Sequence, residues 1–285
     1  MLTKDLINLA KGLIPTKNFR QFRYESQILI SNLLNRNLLQ VIIDQKIKVS
    51  KKNQKKFLKQ IYFRSLGKPI SKIIGIKEFY SREFFVSSFT LDPRPESELI
   101  IDYIKTLKFT KNKEIKILDL GTGTGCLIIT LVLELRKINK IIAVAVDRCQ
   151  SALDLAIKNA IKFNLNNHIN FVKSDWFANL NGKFDIIISN PPYIRSKEIE
   201  LLDNTVKSFD PFIALDGGKD GLEAYKQIAN NSKKFLNENG YVCLEIGFDQ
   251  KEKVTKIFVL NKFEKICELR DLSNKDRVLV FKNKI

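Results

Sequence analysis

One histidine is all that this 285-residue chain has, and it lies in a polar run, Asn166-Asn167-His168. That context points to a solvated loop residue rather than a catalytic base. The four cysteines, Cys126, Cys149, Cys243 and Cys267, include no pair at metal-ligand spacing. A zinc site and a disulfide framework are both disfavoured, and reduced thiols fit better. No bound metal is expected. No apolar run approaches the roughly 20 residues of a membrane span, and Met1-Leu2-Thr3-Lys4-Asp5-Leu6 lacks the layout of a secretory signal. A soluble cytoplasmic chain, monomeric and without a membrane partner, is the expectation. Acidic residues are few beside basic ones, 31 against 49, which leaves a net charge of +18. Two readings of that excess stay open. Lys, Ile and Asn are abundant together, as in a coding sequence biased to A and T; alternatively the charge attracts an RNA-rich partner. Arg, the better phosphate fork, is the minority cation, and no motif requires nucleic acid.

What the chain does have is a change of pattern along its length. Leu2, Leu6, Leu9, Ala10 and Leu13 recur at helical spacing until Pro15, and a second stripe begins at Ile28, Leu29, Leu33 and Leu34. A third helix is expected over Lys51–Arg64, with Phe57, Leu58, Ile61 and Tyr62 on one face; Lys51, Lys52, Lys55, Lys56 and Lys59 dominate the rest, most simply a solvated face, with a phosphate-contacting patch as the minority reading. Residues 1–75 therefore read as a helical domain. Partial alternation through Phe79, Phe84, Val86, Phe89 and Leu91 predicts a β-hairpin, and Pro93-Arg94-Pro95-Glu96-Ser97-Glu98 a stiff connector, so that 76–98 form a linker. From residue 99 to 285 strands and helices alternate. Strands are predicted at 115–120, 141–146, 169–172, 184–189, 241–246, 263–269 and 278–281, and helices at 126–137, 151–163, 222–236 and 254–260. Such alternation implies an α/β fold, a parallel sheet covered on both faces.

The first strand runs into Gly121-Thr122-Gly123-Thr124-Gly125. Alternate glycines let the backbone approach a ligand closely, and the next helix offers unpaired N–H groups. The spacing is Gly-x-Gly-x-Gly, not the dinucleotide fingerprint, and the Lys-Ser/Thr of a phosphate loop is missing. NAD and ATP are both disfavoured. Asp147 ends the second strand, 22 residues beyond Gly125, where an acid accepts from both hydroxyls of a ribose. Asp175-Trp176 follows the third strand, a carboxylate and an indole suited to an adenine amine and its ring. Together these indicate a nucleoside without a pyrophosphate.

Asn190-Pro191-Pro192-Tyr193 follows the fourth strand. Two prolines remove two N–H donors and stiffen the turn. The Asn190 carboxamide and the Pro191 carbonyl are then acceptors beside the flat face of Tyr193. That set suits a planar NH2 group, either a carboxamide or the exocyclic amine of a base.

Assembled, these residues resemble the class I S-adenosylmethionine-dependent methyltransferases, and more narrowly the protein-(glutamine-N5) methyltransferases that modify peptide chain release factors. The resemblance covers nearly the whole chain. It includes Arg64–Ile70, Gly75–Phe79, Pro93–Glu98, the glycine loop, Ser189–Ile194, Ala214–Leu222 and Leu244–Gly247. Ser97 stands where that family usually has Thr, Asp210 where Glu is usual, and Asp92 where Ile is commoner. The resemblance implies a Rossmann-like, seven-stranded methyltransferase domain with a small N-terminal helical domain that holds the protein substrate. It also implies S-adenosylmethionine as cofactor, bound by Gly121, Thr122, Gly123, Thr124, Gly125, Asp147, Asp175, Trp176 and Asn190. The substrate is then the glutamine of a Gly-Gly-Gln motif, placed by Asn190, Pro191, Pro192 and Tyr193, with Asn190, Pro191 and Tyr193 serving catalysis. The Asn-Pro-Pro-Tyr element alone is shared with adenine-N6 methyltransferases of DNA or RNA, the alternative reading.

Overall fold

The computed structural model describes residues 1–12, 18–109 and 114–283. They form two compact units, Met1–Gly75 with Asn204–Phe209, and Ile76–Asp203 with Asp210–Ile285. Leu13 and Pro15 lie outside the described residues.

The first unit holds helices α1 (Thr3–Lys11), α2 (Phe19–Leu34), α3 (Leu38–Ile43), α4 (Lys51–Ser65) and α5 (Ile70–Ile74). Leu6, Ala10, Leu29, Ile30, Val41, Phe57 and Ile61 make its apolar centre. Helix α2 starts nine residues before the stripe that announces it, at the Asn18 cap, whose side chain accepts from the Gln21 N–H at 3.1 Å. Its first turns are polar, and Phe22 is the one large apolar residue buried there, so the period is hidden. Ser50 caps α4 in the same way. Glu25 accepts two bonds from Arg64, at 2.8 and 2.9 Å, tying α2 to α4. The five lysines on α4 are exposed. Gly67, at φ +88°, lies against the returning segment: a Cβ there would be 3.7 Å from Thr205 Cγ2 and 4.0 Å from Phe209 Cε2.

In the second unit a hairpin of β1 (Ile76–Phe79) and β2 (Arg82–Phe85) leads through a short 3-10 turn, Pro95–Ser97, into α6 (Glu98–Thr106). Then follow β3 (Glu114–Leu120), α7 (Cys126–Leu135), β4 (Lys140–Asp147), α8 (Gln150–Lys162), β5 (Ile169–Lys173) and β6 (Phe184–Ser189). Two single-turn helices come next, α9 (Ser196–Ile199) and α10 (Asn204–Lys207), the latter in the first unit. The chain closes with α11 (Glu223–Phe235), β7 (Leu236–Glu245), α12 (Lys251–Leu260), β8 (Phe263–Arg270) and β9 (Asp276–Asn283).

The seven-stranded sheet has the order β5-β4-β3-β6-β7-β9-β8. β5 to β7 are parallel neighbours, and β9 pairs antiparallel with both β7 and β8. Adjacent residues of one strand feed opposite cores, as pleating requires. Ile115 and Ile117 of β3 pack with α6 and α7, whereas Leu118 and Leu120 pack with α11 and α12. The hairpin is fastened by Asn159 of α8, which is fully buried. Its Oδ1 accepts from the Phe85 N–H at 2.7 Å, and its Nδ2 donates to the carbonyls of Phe85 at 3.0 Å and Thr124 at 2.8 Å. No helix among the described residues is long and apolar enough to cross a membrane.

Phe258 of α12 is fully buried and stacks on Phe281 with ring centroids 4.2 Å apart. Phe258→Ala is expected to lower unfolding free energy by about 3–5 kcal/mol, read from urea midpoints at unchanged slope.

Candidate active site

Strand order reverses between β3 and β6. β4 follows β3 on one side, while β6 pairs on the other. Open α/β sheets bind ligands outside the carboxyl ends of strands at such a point. A pocket with about 740 Å³ of empty space, part of it open to solvent, lies there. It is lined by Gly121, Gly123, Asp147, Asp175, Trp176, Asn190 and Pro192 among others.

The glycine loop is shaped by hydrogen bonds from beneath. The N–H groups of Gly121 and Thr122 both donate to the Val146 carbonyl, each at 2.9 Å. The Thr122 hydroxyl donates to Asp119 Oδ2 at 2.6 Å. Gly123 has φ +55°, and nothing lies within 4 Å of where a Cβ would stand, so its backbone faces open space. Gly125 is constrained differently. It has φ +77°, and a Cβ would meet Ile129 Cδ1 at 3.0 Å and Ala156 Cβ at 3.2 Å. Thr122 and Thr124 are buried and, like Gly125, do not line the pocket; they build the loop that Gly121 and Gly123 present.

Asp147 sits at the end of β4 with its carboxylate held by backbone. Oδ2 accepts from the Gly123 N–H at 3.0 Å and Oδ1 from the Cys149 N–H at 2.9 Å. A carboxylate has about four acceptor positions, so one on each oxygen remains. Burial raises the Asp147 pKa, opposed by those two N–H groups. Trp176 has φ +50°, a left-handed backbone that a bulky residue adopts only at a cost of about 1–3 kcal/mol. That strain delivers the indole to the pocket wall, next to the exposed Asp175.

Beyond β6, Asn190 Nδ2 donates to the Ser97 hydroxyl at 3.0 Å. Asn190 Oδ1 has no partner among the described residues. Pro192 lines the pocket; Pro191 is buried behind it. Tyr193 is not among the lining residues. Its ring leans on the core, its hydroxyl donates to Glu245 Oε1 at 3.3 Å, and its carbonyl accepts from Gln250 Nε2 at 2.9 Å. Three residues of the connector are tied down by side-chain bonds. Arg94 pairs with Asp210 at 3.1 Å, Ser97 meets Asn190 and Glu245, and Glu98 Oε1 accepts the Tyr80 N–H at 2.7 Å. Sequence reasoning missed the lining residues Phe89, Leu91, Arg148 and Ile213. None carries a motif: Arg148 directly follows β4, Phe89 and Leu91 lie between the hairpin and the connector, and Ile213 lies in a short 3-10 turn, Phe212–Ala214.

Two buried acids flank the site. Burial drives the Asp119 pKa from 3.8 to about 7, the Thr122 bond opposing and the Asp147 charge adding. Glu245 rises from 4.5 to about 7, again by burial, against the Ser97 bond and the Arg277 charge.

The sequence pattern of the methyltransferase small domain matches residues 96–217. A release factor glutamine methyltransferase of Agrobacterium fabrum is 36% identical over 90% of this chain and 89% of its own length. One from Buchnera aphidicola subsp. Schizaphis graminum is 40% identical over 95% of this chain and 96% of its own. The chain belongs to the release factor glutamine methyltransferase family. A methyltransferase structure from Pyrococcus furiosus shares the fold, with a TM-score of 0.51, 18% identity, and coverage of 83% of this chain and all of that one. A class I methyltransferase domain implies use of S-adenosylmethionine.

In this methyltransferase the two raised acids give a defined pH effect. Between about pH 4 and about pH 7 the folded chain keeps protons on Asp119 and Glu245 that the unfolded chain has lost. Their contribution to stability is therefore full in acid and lost as pH rises through about 7. Asp119→Asn is expected to flatten that loss in the ligand-free protein. Urea midpoints across the range check it, and an unchanged slope rules the coupling out.

Proposed function

We propose that the chain transfers a methyl group from S-adenosylmethionine to the side-chain amide nitrogen of the glutamine in a release factor's Gly-Gly-Gln motif. The observation that carries this reading is Asn190 Oδ1, an acceptor without a protein partner beside a pocket built by Gly121, Gly123 and Asp147. The Agrobacterium fabrum and Buchnera aphidicola relatives, matched over 90% and 95% of this chain, bear the release factor name, while Rickettsia relatives matched over 90% or more bear the name bifunctional methyltransferase. Nothing in the comparisons favours the adenine-N6 alternative.

The site fits the cofactor. Gly121 and Gly123 leave open space where side chains would stand. The free acceptor positions of Asp147 match two ribose hydroxyls, and Asp175 with Trp176 suits an adenine edge and face. Asp119 Oδ1 is buried under the loop with no hydrogen-bond partner. When bound, the sulfonium supplies an electrophilic methyl group. An amide nitrogen is a poor nucleophile because its lone pair is delocalised. Asn190 Oδ1 and the Pro191 carbonyl each accept one N–H of the substrate amide. Those bonds aim its nitrogen and stabilise the positive charge that develops there. Tyr193, which does not line the pocket, supports the turn from the core side. No base need remove a proton first, which agrees with a chain whose lone histidine is on an exposed loop.

The helical unit is assigned to holding the protein substrate. Residues 1–75 carry 16 of the 49 Lys and Arg but only 3 of the 31 Asp and Glu. Such a surface attracts an acidic partner over a distance of about one Debye length, ~8–10 Å.

Labelled cofactor offered to a release factor, to its Gln→Ala variant and to duplex DNA separates the readings. Label confined to the factor that keeps its Gln is expected; label on DNA supports the adenine reading instead. Asn190→Ala should lower kcat by ~10²–10³ with cofactor binding kept. Asp147→Ala should weaken cofactor binding by about 1.5–3 kcal/mol for each hydrogen bond lost; unchanged affinity by calorimetry removes Asp147 from the ribose.

A further inference from the structure

A carboxamide has two ends of opposite character: its oxygen accepts and its nitrogen donates. The function proposed for Asn190 needs the oxygen turned to the substrate NH2. A flipped side chain would set donor against donor. Nothing within Asn190 chooses between the two orientations, because the ends are nearly equal in size.

The choice is made two residues away from the pocket. Asn190 Nδ2 donates to Ser97 Oγ at 3.0 Å, and Ser97 Oγ donates to Glu245 Oε2 at 2.5 Å. Ser97 and Glu245 are 3% and 1% exposed, so solvent scarcely competes for these bonds. A serine hydroxyl has a single hydrogen. With that hydrogen given to Glu245, Ser97 has only lone pairs left for Asn190. The amide nitrogen must then face Ser97, and the oxygen is turned away from it. The other oxygen of Glu245 accepts from the Tyr193 hydroxyl at 3.3 Å. One carboxylate therefore holds both polar members of the Asn190–Tyr193 turn. The polarity requires Glu245 as a carboxylate; burial opposes that form and raises its pKa to about 7, while the Ser97 bond and the Arg277 charge favour it, so the arrangement is held at and above about pH 7. The peptide carbonyl of Glu245 is itself fixed, by the Tyr225 hydroxyl at 3.1 Å.

We propose that Ser97 and Glu245 are positioning residues for methyl transfer: through the single hydroxyl of Ser97, Glu245 sets which end of the Asn190 carboxamide meets the substrate amide. This rests on the reading in which Asn190 accepts a substrate N–H. It also gives the Pro-Arg-Pro-Glu-Ser connector a part in the chemistry, although the connector is distant in sequence from the turn it serves.

The test measures kcat, KM for the release factor and cofactor affinity for Ser97→Ala, Ser97→Thr and Glu245→Gln. Ser97→Ala and Glu245→Gln are expected to lose about tenfold to a hundredfold in kcat, as usual when a partner orienting a primary group is removed. KM and cofactor affinity should move far less. Ser97→Thr keeps one hydroxyl and should keep most of the rate, which a purely structural role for the oxygen-bearing site would not separate from Ser97→Ala. A readout without turnover accompanies these: in asparagine-labelled protein, the Asn190 side-chain amide should exchange its hydrogens slowly in the wild type and faster in Ser97→Ala and Glu245→Gln. Should Ser97→Ala fail to fold, Glu245→Gln against Ser97→Thr carries the same comparison. Wild-type kcat in Ser97→Ala or Glu245→Gln overturns the proposal, as do equal losses in Ser97→Ala and Ser97→Thr. Asn190→Ala in the same assay separates the two claims. Normal turnover there removes the role of Asn190 itself, whereas a dead Asn190→Ala beside an unaffected Ser97→Ala removes only the positioning role.

Discussion

The direct pairing of β3 with β6 is the constraint on which the site depends. Leu120 lies opposite Ser189 in that register. The glycine loop and the Asn190 turn are the next residues of each strand, so one strand spacing of about 4.8 Å separates their roots. The Ser189 hydroxyl donates to the Leu120 carbonyl at 2.7 Å and seals the junction. β4 lies on the far side of β3 and brings Asp147 to the same edge, where it accepts the Gly123 N–H. Donor pocket and acceptor turn are thus rooted in neighbouring strands of the sheet, with loop and side-chain bonds added at their ends.

Much of this was legible in the sequence for a physical reason. Parallel strands buried on both faces must be continuous apolar runs, and Ile186-Ile187-Ile188 or Ile117-Leu118 announces one plainly. Loops at strand ends carry glycine, proline and acids for stereochemical reasons that also leave a signature. Amphipathic helices with polar first turns leave none, which is why α2 begins well before its visible stripe. The strand β7 likewise begins directly after α11, at Leu236, where Asn237-Glu238-Asn239-Gly240 conceals the period. Within the site, Gly121, Gly123, Asp147, Asp175, Trp176, Asn190 and Pro192 come together around one pocket, whereas Thr122, Thr124 and Gly125 support it from behind. The bonds among Asn190, Ser97, Glu245 and Tyr193 could not be read beforehand. They join residues 93 and 148 positions apart, and no local pattern encodes such a meeting.

The site is also built against stability. Asp119 and Glu245 are buried carboxyl groups, and Trp176 is held in a left-handed backbone. Each is a local conflict tolerated because the surrounding sheet and helices over-determine the geometry. Gln250 shows how this is done: its carboxamide bonds the carbonyls of Tyr193 and Gly221, the Gly247 N–H and the Tyr225 hydroxyl, and so pins the chain around the turn without touching the pocket.

The segment Asn204–Phe209 belongs with the helical unit although it is encoded deep within the other. The boundary between the units is therefore crossed three times by the chain, at 75, 203 and 209. A gene fusion or recombination event that exchanged only the first 75 residues would part Gly67 from the Thr205 and Phe209 side chains that cover it. The two pieces must be inherited as a matched set, so changes in the helices around Gly67 are expected to be accompanied by changes far downstream, in a stretch that resembles an ordinary surface loop.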